Sequence, residues 1–182
     1  FDHLQDEQER LPDAHWLGIA SDLYLIFSQL AGQCHAFSEA AFFEFYNGLT
    51  IVVLRNPKLK KIEDRWKDSV HIYFTGCRIT QEFALSFKEK CKDFDFDLSV
   101  CPFGSNGLRL WGTSKKEHKF RMKSIGIGKM TPNYIDWEYE IPKKLAWMLM
   151  YLTMFCKYPG VNIPTFHDPQ FQNKITIIEK KQ

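Results

Sequence analysis

From His15 to Gln33 the apolar residues Trp16, Leu17, Ala20, Leu23, Leu25, Ile26, Phe27 and Leu30 recur at helical spacing, with Pro12 and Asp13 before them and Gly32 after. That period predicts a helix with an apolar stripe turned to a core. Thr50–Leu54 has no such period. It is β-branched and apolar, lies between Asn47-Gly48 and Asn56-Pro57, and predicts a short strand between turns. Val70–Phe74, closed by Thr75-Gly76, predicts a second strand. Thr80 is placed to cap a helix over Gln81–Lys92, in which Phe83, Ala84, Phe87 and Cys91 lie three or four residues apart. Phe94–Val100 alternates apolar and polar residues, so a third strand would carry Asp95 and Asp97 on one face. After the turn-rich Pro102–Gly107, Leu108–Gly112 returns as a fourth strand, making a hairpin. Pro142 opens a helix through Cys156 that is apolar nearly all round, and Lys174–Ile178 predicts a last strand. Helices alternate with strands, and the hairpins predict a mixed, largely antiparallel sheet flanked by helices. The expected class is therefore α+β.

Length and composition narrow this picture. The 182 residues suit one domain, and 45% hydrophobic residues, 16 Phe among them, supply a full core. The longest nearly apolar run, Leu145–Cys156, is far shorter than the roughly 20 residues of a bilayer-spanning helix, so no membrane partner is expected. The opening Phe1–Glu7 lacks the residue order of a secretory signal and reads as the start of a fragment of a longer chain. The five cysteines are odd in number and contain no CxxC pair. They read as free thiols of an intracellular, reducing compartment, nucleus or cytoplasm.

Net charge is only +2, but it is unevenly distributed. Between Arg109 and Lys129 seven basic residues stand against Glu117 alone, a pattern that favours a polyanion partner over a merely solvated face. A second basic stretch, Arg55–Lys67, carries six Lys or Arg with Trp66 among them. It fits either a track for a nucleic-acid backbone or a soluble loop.

The candidate chemistry lies between these stretches. Ser69 and His71 share a strand face, because side chains alternate, and Asp97 would join them if the strands are neighbours. Carboxylates bind magnesium or manganese, and two such ions neutralise a triphosphate and align an attacking hydroxyl with its α-phosphorus. Arg109 and Lys115 would grip phosphate oxygens, one as a planar fork and the other as a point charge. The plain alternative is that Asp95 and Asp97 form the wet face of an edge strand.

Ser69-Val70-His71, Asp97-Leu98-Ser99-Val100 and Leu108-Arg109-Leu110-Trp111-Gly112-Thr113-Ser114-Lys115 follow one another in an order and spacing that resemble motifs II and III of the archaeo-eukaryotic primases. The likeness is to primase-polymerases and to the primase half of viral, poxvirus-type primase-helicases. It covers roughly residues 1 to 125. It implies a primase-polymerase (RRM-like) catalytic core within residues 1–140 of a single domain, 1–182, with a helix and strand appended over 141–182. It also implies Mg2+ or Mn2+ on Asp97 and on Asp2, the latter as the second acid of motif I, which makes Asp97, Asp2 and His71 the catalytic set. Nucleotide phosphates would fall to Ser69, His71, Arg109, Ser114 and Lys115. Lys116, Lys119, Arg121 and Lys123 would meet the nucleic acid.

The function so implied is primer synthesis from nucleoside triphosphates on a single-stranded DNA template in replication, with a fused or associated replicative helicase as a further partner. Two other readings stay open. One is a catalytically inactive primase-like module that binds single strands or scaffolds a helicase, and the other is a metal-dependent nuclease using the same acids.

Overall fold

The structure is a computed structural model and describes residues 2–33, 50–75, 78–94, 123–131, 134–138 and 165–166. The predicted strands Phe94–Val100 (beyond Phe94), Leu108–Gly112 and Lys174–Ile178, and the predicted helix Pro142–Cys156, lie outside them.

The first predicted helix forms as α1, Asp13–Gly32. Asp13 in its first turn complements the positive end of the helix dipole. The stripe Trp16, Leu17, Ala20, Leu23, Tyr24, Phe27, Leu30 and Ala31 is buried. The second, α2, spans Gln81–Lys90, and the Thr80 hydroxyl accepts a hydrogen bond from the Phe83 N–H at 3.3 Å. Glu82 in its first turn and Lys88 and Lys90 in its last also suit the dipole.

The strands are β1 (Asp2–Gln5), β2 (Thr50–Arg55), β3 (Lys60–Ile62), β4 (Arg65–Thr75), β5 (Arg78–Ile79), β6 (Lys123–Met130), β7 (Ile135–Glu138) and β8 (Thr165–Phe166). Among the described residues, β1-β4-β2-β6-β7 run in that order as one sheet, with β3 also paired to β4. Every pairing in this sheet is antiparallel, and only the two-residue β5–β8 pair is parallel. The protein is therefore α+β with a mostly antiparallel sheet.

Alternation along β4 divides the sheet into two faces. Val70, Ile72 and Phe74, with Ile51 and Val53 of β2, turn to α1 and α2 and form the main core. Its aromatic centre is Phe27, whose ring lies 5.0 Å from Phe74, 5.5 Å from Phe83 and 6.0 Å from Phe87. The opposite face carries Ser69, His71, Tyr73 and Thr75 with Val52 and Leu54, and it too is largely buried. Burial on both faces explains why Thr50–Leu54 reads as a continuous apolar run instead of an alternating one.

The structure differs from the sequence expectation in several elements; β3 and β7, for example, have no predicted counterpart. Arg65–Lys67, the end of the basic stretch that fits either a backbone track or a soluble loop, is strand, the start of the long β4, and pairs with both β1 and β3. Lys123, assigned to a basic run, opens β6 in register with Arg55. β6 itself was not anticipated, because its Gly126 and Gly128 are poor strand formers. Tertiary packing supplies the reason. A Cβ at Gly126 would come within 2.7 Å of Leu17 and 3.2 Å of the Trp137 ring, and one at Gly128 would strike Ile135.

Two stability predictions arise here. The β3–β4 turn is only two residues long, since Ile62 pairs with Arg65, and Glu63 within it has φ of 54°. A left-handed conformation costs an L-residue roughly 1–2 kcal/mol, and glycine is spared that cost at some loss of unfolded-state entropy. Glu63→Gly should therefore raise the unfolding free energy by about 0.5–1 kcal/mol. A urea midpoint that stays put or falls would show the turn is unstrained.

Cys91 follows α2 and is fully buried, and burial pushes its thiol from the ordinary 9.0 up to about 12. The unfolded chain thus ionises first. The contribution to stability is whole below pH 9 and declines as pH rises from there toward 12, by about 1.4 kcal/mol per unit. A Cys91→Ala protein should lose stability less steeply between pH 9 and 10.5, as read from denaturation midpoints. Parallel curves for the two proteins would contradict this.

Candidate functional site

The long strand β4 brings the candidate residues together. Ser69 and His71 lie two residues apart on it and share the face away from α1. Asp2 on β1 is the Cα partner of Ser69 in the β1–β4 ladder. Directly paired residues occupy one face of a sheet, so the register sets Asp2, Ser69 and His71 at neighbouring positions. Ser69 is 6% exposed, whereas His71 is half-buried. Nδ1 of His71 lies 3.2 Å from the Tyr73 hydroxyl, and the two rings tilt at 50°.

Of the remaining sequence candidates, Asp97, Arg109, Ser114, Lys115, Lys116, Lys119 and Arg121 lie outside the described residues. Lys123 is located by its backbone at the start of β6. Asp6 follows the end of β1, where its carboxylate pairs with Arg65 at 3.3 Å.

A second cluster was not foreseen. Arg55, which reads as part of a basic stretch able to follow a template, is 4% exposed. Its guanidinium donates to both oxygens of the fully buried Asp68, the Nε contact measuring 3.2 Å. It donates also to Asp13 in the first turn of α1, and to the Leu11 carbonyl at 2.6 Å. The Trp16 ring centroid lies 6.0 Å from its charged carbon, in reach of a cation–π contact. Burial alone lowers the Arg55 pKa, but hydrogen bonds and charge from Asp68 and Asp13 outweigh it, so the net shift is upward. Arg10 closes the group, donating to the carbonyls of Asn56 at 2.6 Å and Pro57 at 2.7 Å, with Asp68 at 3.8 Å. This network fastens the start of α1 to the face opposite His71. Only one sequence signal hinted at it, an arginine placed directly after the apolar run of β2.

Among the described residues no group of three or more His, Cys, Asp or Glu is placed to hold a metal ion. The two-carboxylate set that the primase resemblance implies draws one member, Asp2, from β1 and the other, Asp97, from beyond the described residues. Also among the described residues, no helix is long and apolar enough to cross a membrane. Comparisons with protein-family models, with curated proteins and with solved structures find no match for this chain.

Proposed function

We propose that this chain is the catalytic domain of a DNA primase or primase-polymerase with an RRM-like core, joining nucleotides on a single-stranded DNA template. One observation carries the reading. Asp2 and the Ser69-Val70-His71 triplet, far apart in sequence, occupy adjacent positions in the β1–β4 ladder. The motif resemblance requires that meeting, and neither segment's local pattern demands it.

In this reading Asp2 and Asp97 would hold Mg2+ or Mn2+, and the bound metal would neutralise the triphosphate and acidify the attacking 3′-hydroxyl. The residues of the chain bind and orient the nucleotide. Ser69 offers a hydroxyl to a phosphate oxygen. In a neutral imidazole one ring nitrogen donates and the other accepts. A Tyr73 hydroxyl that donates to Nδ1 makes Nε2 the N–H donor, the form a phosphate oxygen needs. Arg109, Ser114 and Lys115 would hold the remaining phosphate oxygens, and Lys116, Lys119, Arg121 and Lys123 the nucleic-acid backbone. A replicative helicase, fused or associated, is the natural further partner.

The test is primer synthesis by the intact protein on single-stranded DNA with nucleoside triphosphates and Mg2+ or Mn2+. Labelled products longer than a dinucleotide are expected. Binding of single strands without incorporation would favour the inactive module, and shortening of a labelled strand would favour a nuclease. His71→Ala removes one charge-assisted contact, worth about 1.5–3 kcal/mol. It should raise the KM for nucleotide at least tenfold with a smaller change in kcat. An unaltered KM would remove His71 from the nucleotide site.

A further inference from the structure

We infer that the β3–β4 hairpin is a second nucleic-acid surface, one that holds the sugar–phosphate backbone of a single strand. The inference rests on the primase reading for its choice of polyanion.

Lys60 and Lys67 are Cα partners, and Ile62 and Arg65 are the next pair on the same face. Alternation along β4 makes this the face that also carries Ser69 and His71. Three cations thus continue the candidate site's own face outward along two paired strands. Lys61 and Trp66, also partners, stand on the opposite face with the ammonium 6.0 Å from the ring centroid. Lys60, Lys61 and Arg65 are exposed.

A phosphodiester laid across the hairpin would meet cations on both of its strands. The ion pair between Arg65 and Asp6 is solvated, with the two side chains 55% and 87% exposed. Pairs of that kind are weak and readily exchanged for phosphate. The turn itself is acidic, Glu63-Asp64. A flat anionic bilayer approaching end-on would meet those carboxylates first, whereas a strand crossing the hairpin's side meets the lysines. The geometry therefore favours nucleic acid over a lipid surface.

The experiment measures binding of a fluorescent oligo(dT) to the intact protein by anisotropy over a range of salt, without nucleotide or divalent metal. The probe for the alternative is vesicles containing phosphatidylserine, read by co-sedimentation. Lys60→Gln with Arg65→Gln should keep the thermal midpoint, because both side chains are exposed. It should weaken oligo(dT) binding roughly tenfold near 0.1 M salt, and reduce the slope of log K against log salt by about 1.4, or about 0.7 per lost phosphate contact. Equal affinity and slope in the double variant would overturn the inference. So would failure of the unaltered protein to bind oligo(dT) at low salt, or a variant that releases vesicles while still holding oligo(dT). Because no nucleotide is present, the result is separable from primer synthesis. Normal hairpin binding in a protein that makes no primers would defeat only the primase reading, and primers made by a protein whose hairpin is indifferent would defeat only this inference.

Discussion

Substituting Asp97 with alanine in the intact protein is expected to lower metal-dependent primer synthesis by roughly a thousandfold. The figure follows from the several kcal/mol of charge stabilisation that a bound divalent ion supplies at a phosphoryl centre, at about 1.4 kcal/mol per tenfold in rate. Asp95 is the internal control. In Phe94-Asp95-Phe96-Asp97 both carboxylates fall on the same side of a predicted strand, but only Asp97 begins the D-x-x-V pattern. Asp95→Ala should therefore keep most of the activity. Initial rates of labelled nucleotide incorporation, with thermal unfolding to verify the fold, distinguish the two. If Asp97→Ala retains activity within tenfold of the unaltered protein, or if Asp95→Ala proves the more damaging, the assignment of the metal ligand is wrong and with it the proposed mechanism.

The largest expected effect on stability comes from Asp68→Ala. This carboxylate is 0% exposed and neutralises a guanidinium that is itself 4% exposed. Removing it leaves Arg55 in the interior with Asp13, on a helix end 55% exposed, as its remaining ionic partner among the described residues. Breaking one side of a buried pair typically costs about 3–5 kcal/mol, because the surviving charge keeps its desolvation penalty without its compensation. That is a large share of the stability of an ordinary domain. Replacing both partners by apolar residues, Arg55→Met with Asp68→Leu, removes the charge along with its partner and should cost less than the single change. Denaturant unfolding followed by tryptophan fluorescence reports the comparison, since Trp16 lies beside Arg55. A single-variant loss below 1 kcal/mol would mean that water or Asp13 compensates the guanidinium left behind. The ion pairs Arg65–Asp6 and Lys129–Glu138 are exposed on both sides and should matter far less.

These two predictions draw on different sources. Asp97 is nominated by a sequence motif, whereas Asp68 is nominated by burial and contact geometry. The same division runs through the rest of the molecule. The helical period from Trp16 to Leu30, the Thr80 cap and the apolar run of β2 were all legible, because each depends on residues within a turn or two of one another. That Ser69 and His71 share a face was legible too, since alternation along one strand needs no knowledge of its neighbours. The first half of β4 was not, because Arg65-Trp66-Lys67-Asp68 is charged and its strand character comes from pairing with β1 and β3. Nor was β6, whose glycines look like breakers until Leu17 and Trp137 are seen to occupy the space where side chains would be.

From the order of residues alone came the places of α1 and α2 to within two residues at each end, the alternating faces of single strands and the types of side chain proposed to meet phosphate and metal. Those properties are set by interactions a few residues long. The folded sheet alone decided that Asp2 lies beside Ser69, that Arg55 is buried against Asp68 instead of facing solvent, and that Lys60 stands opposite Lys67. Register between strands is chosen by which faces can be buried together, and that choice is made by the whole core.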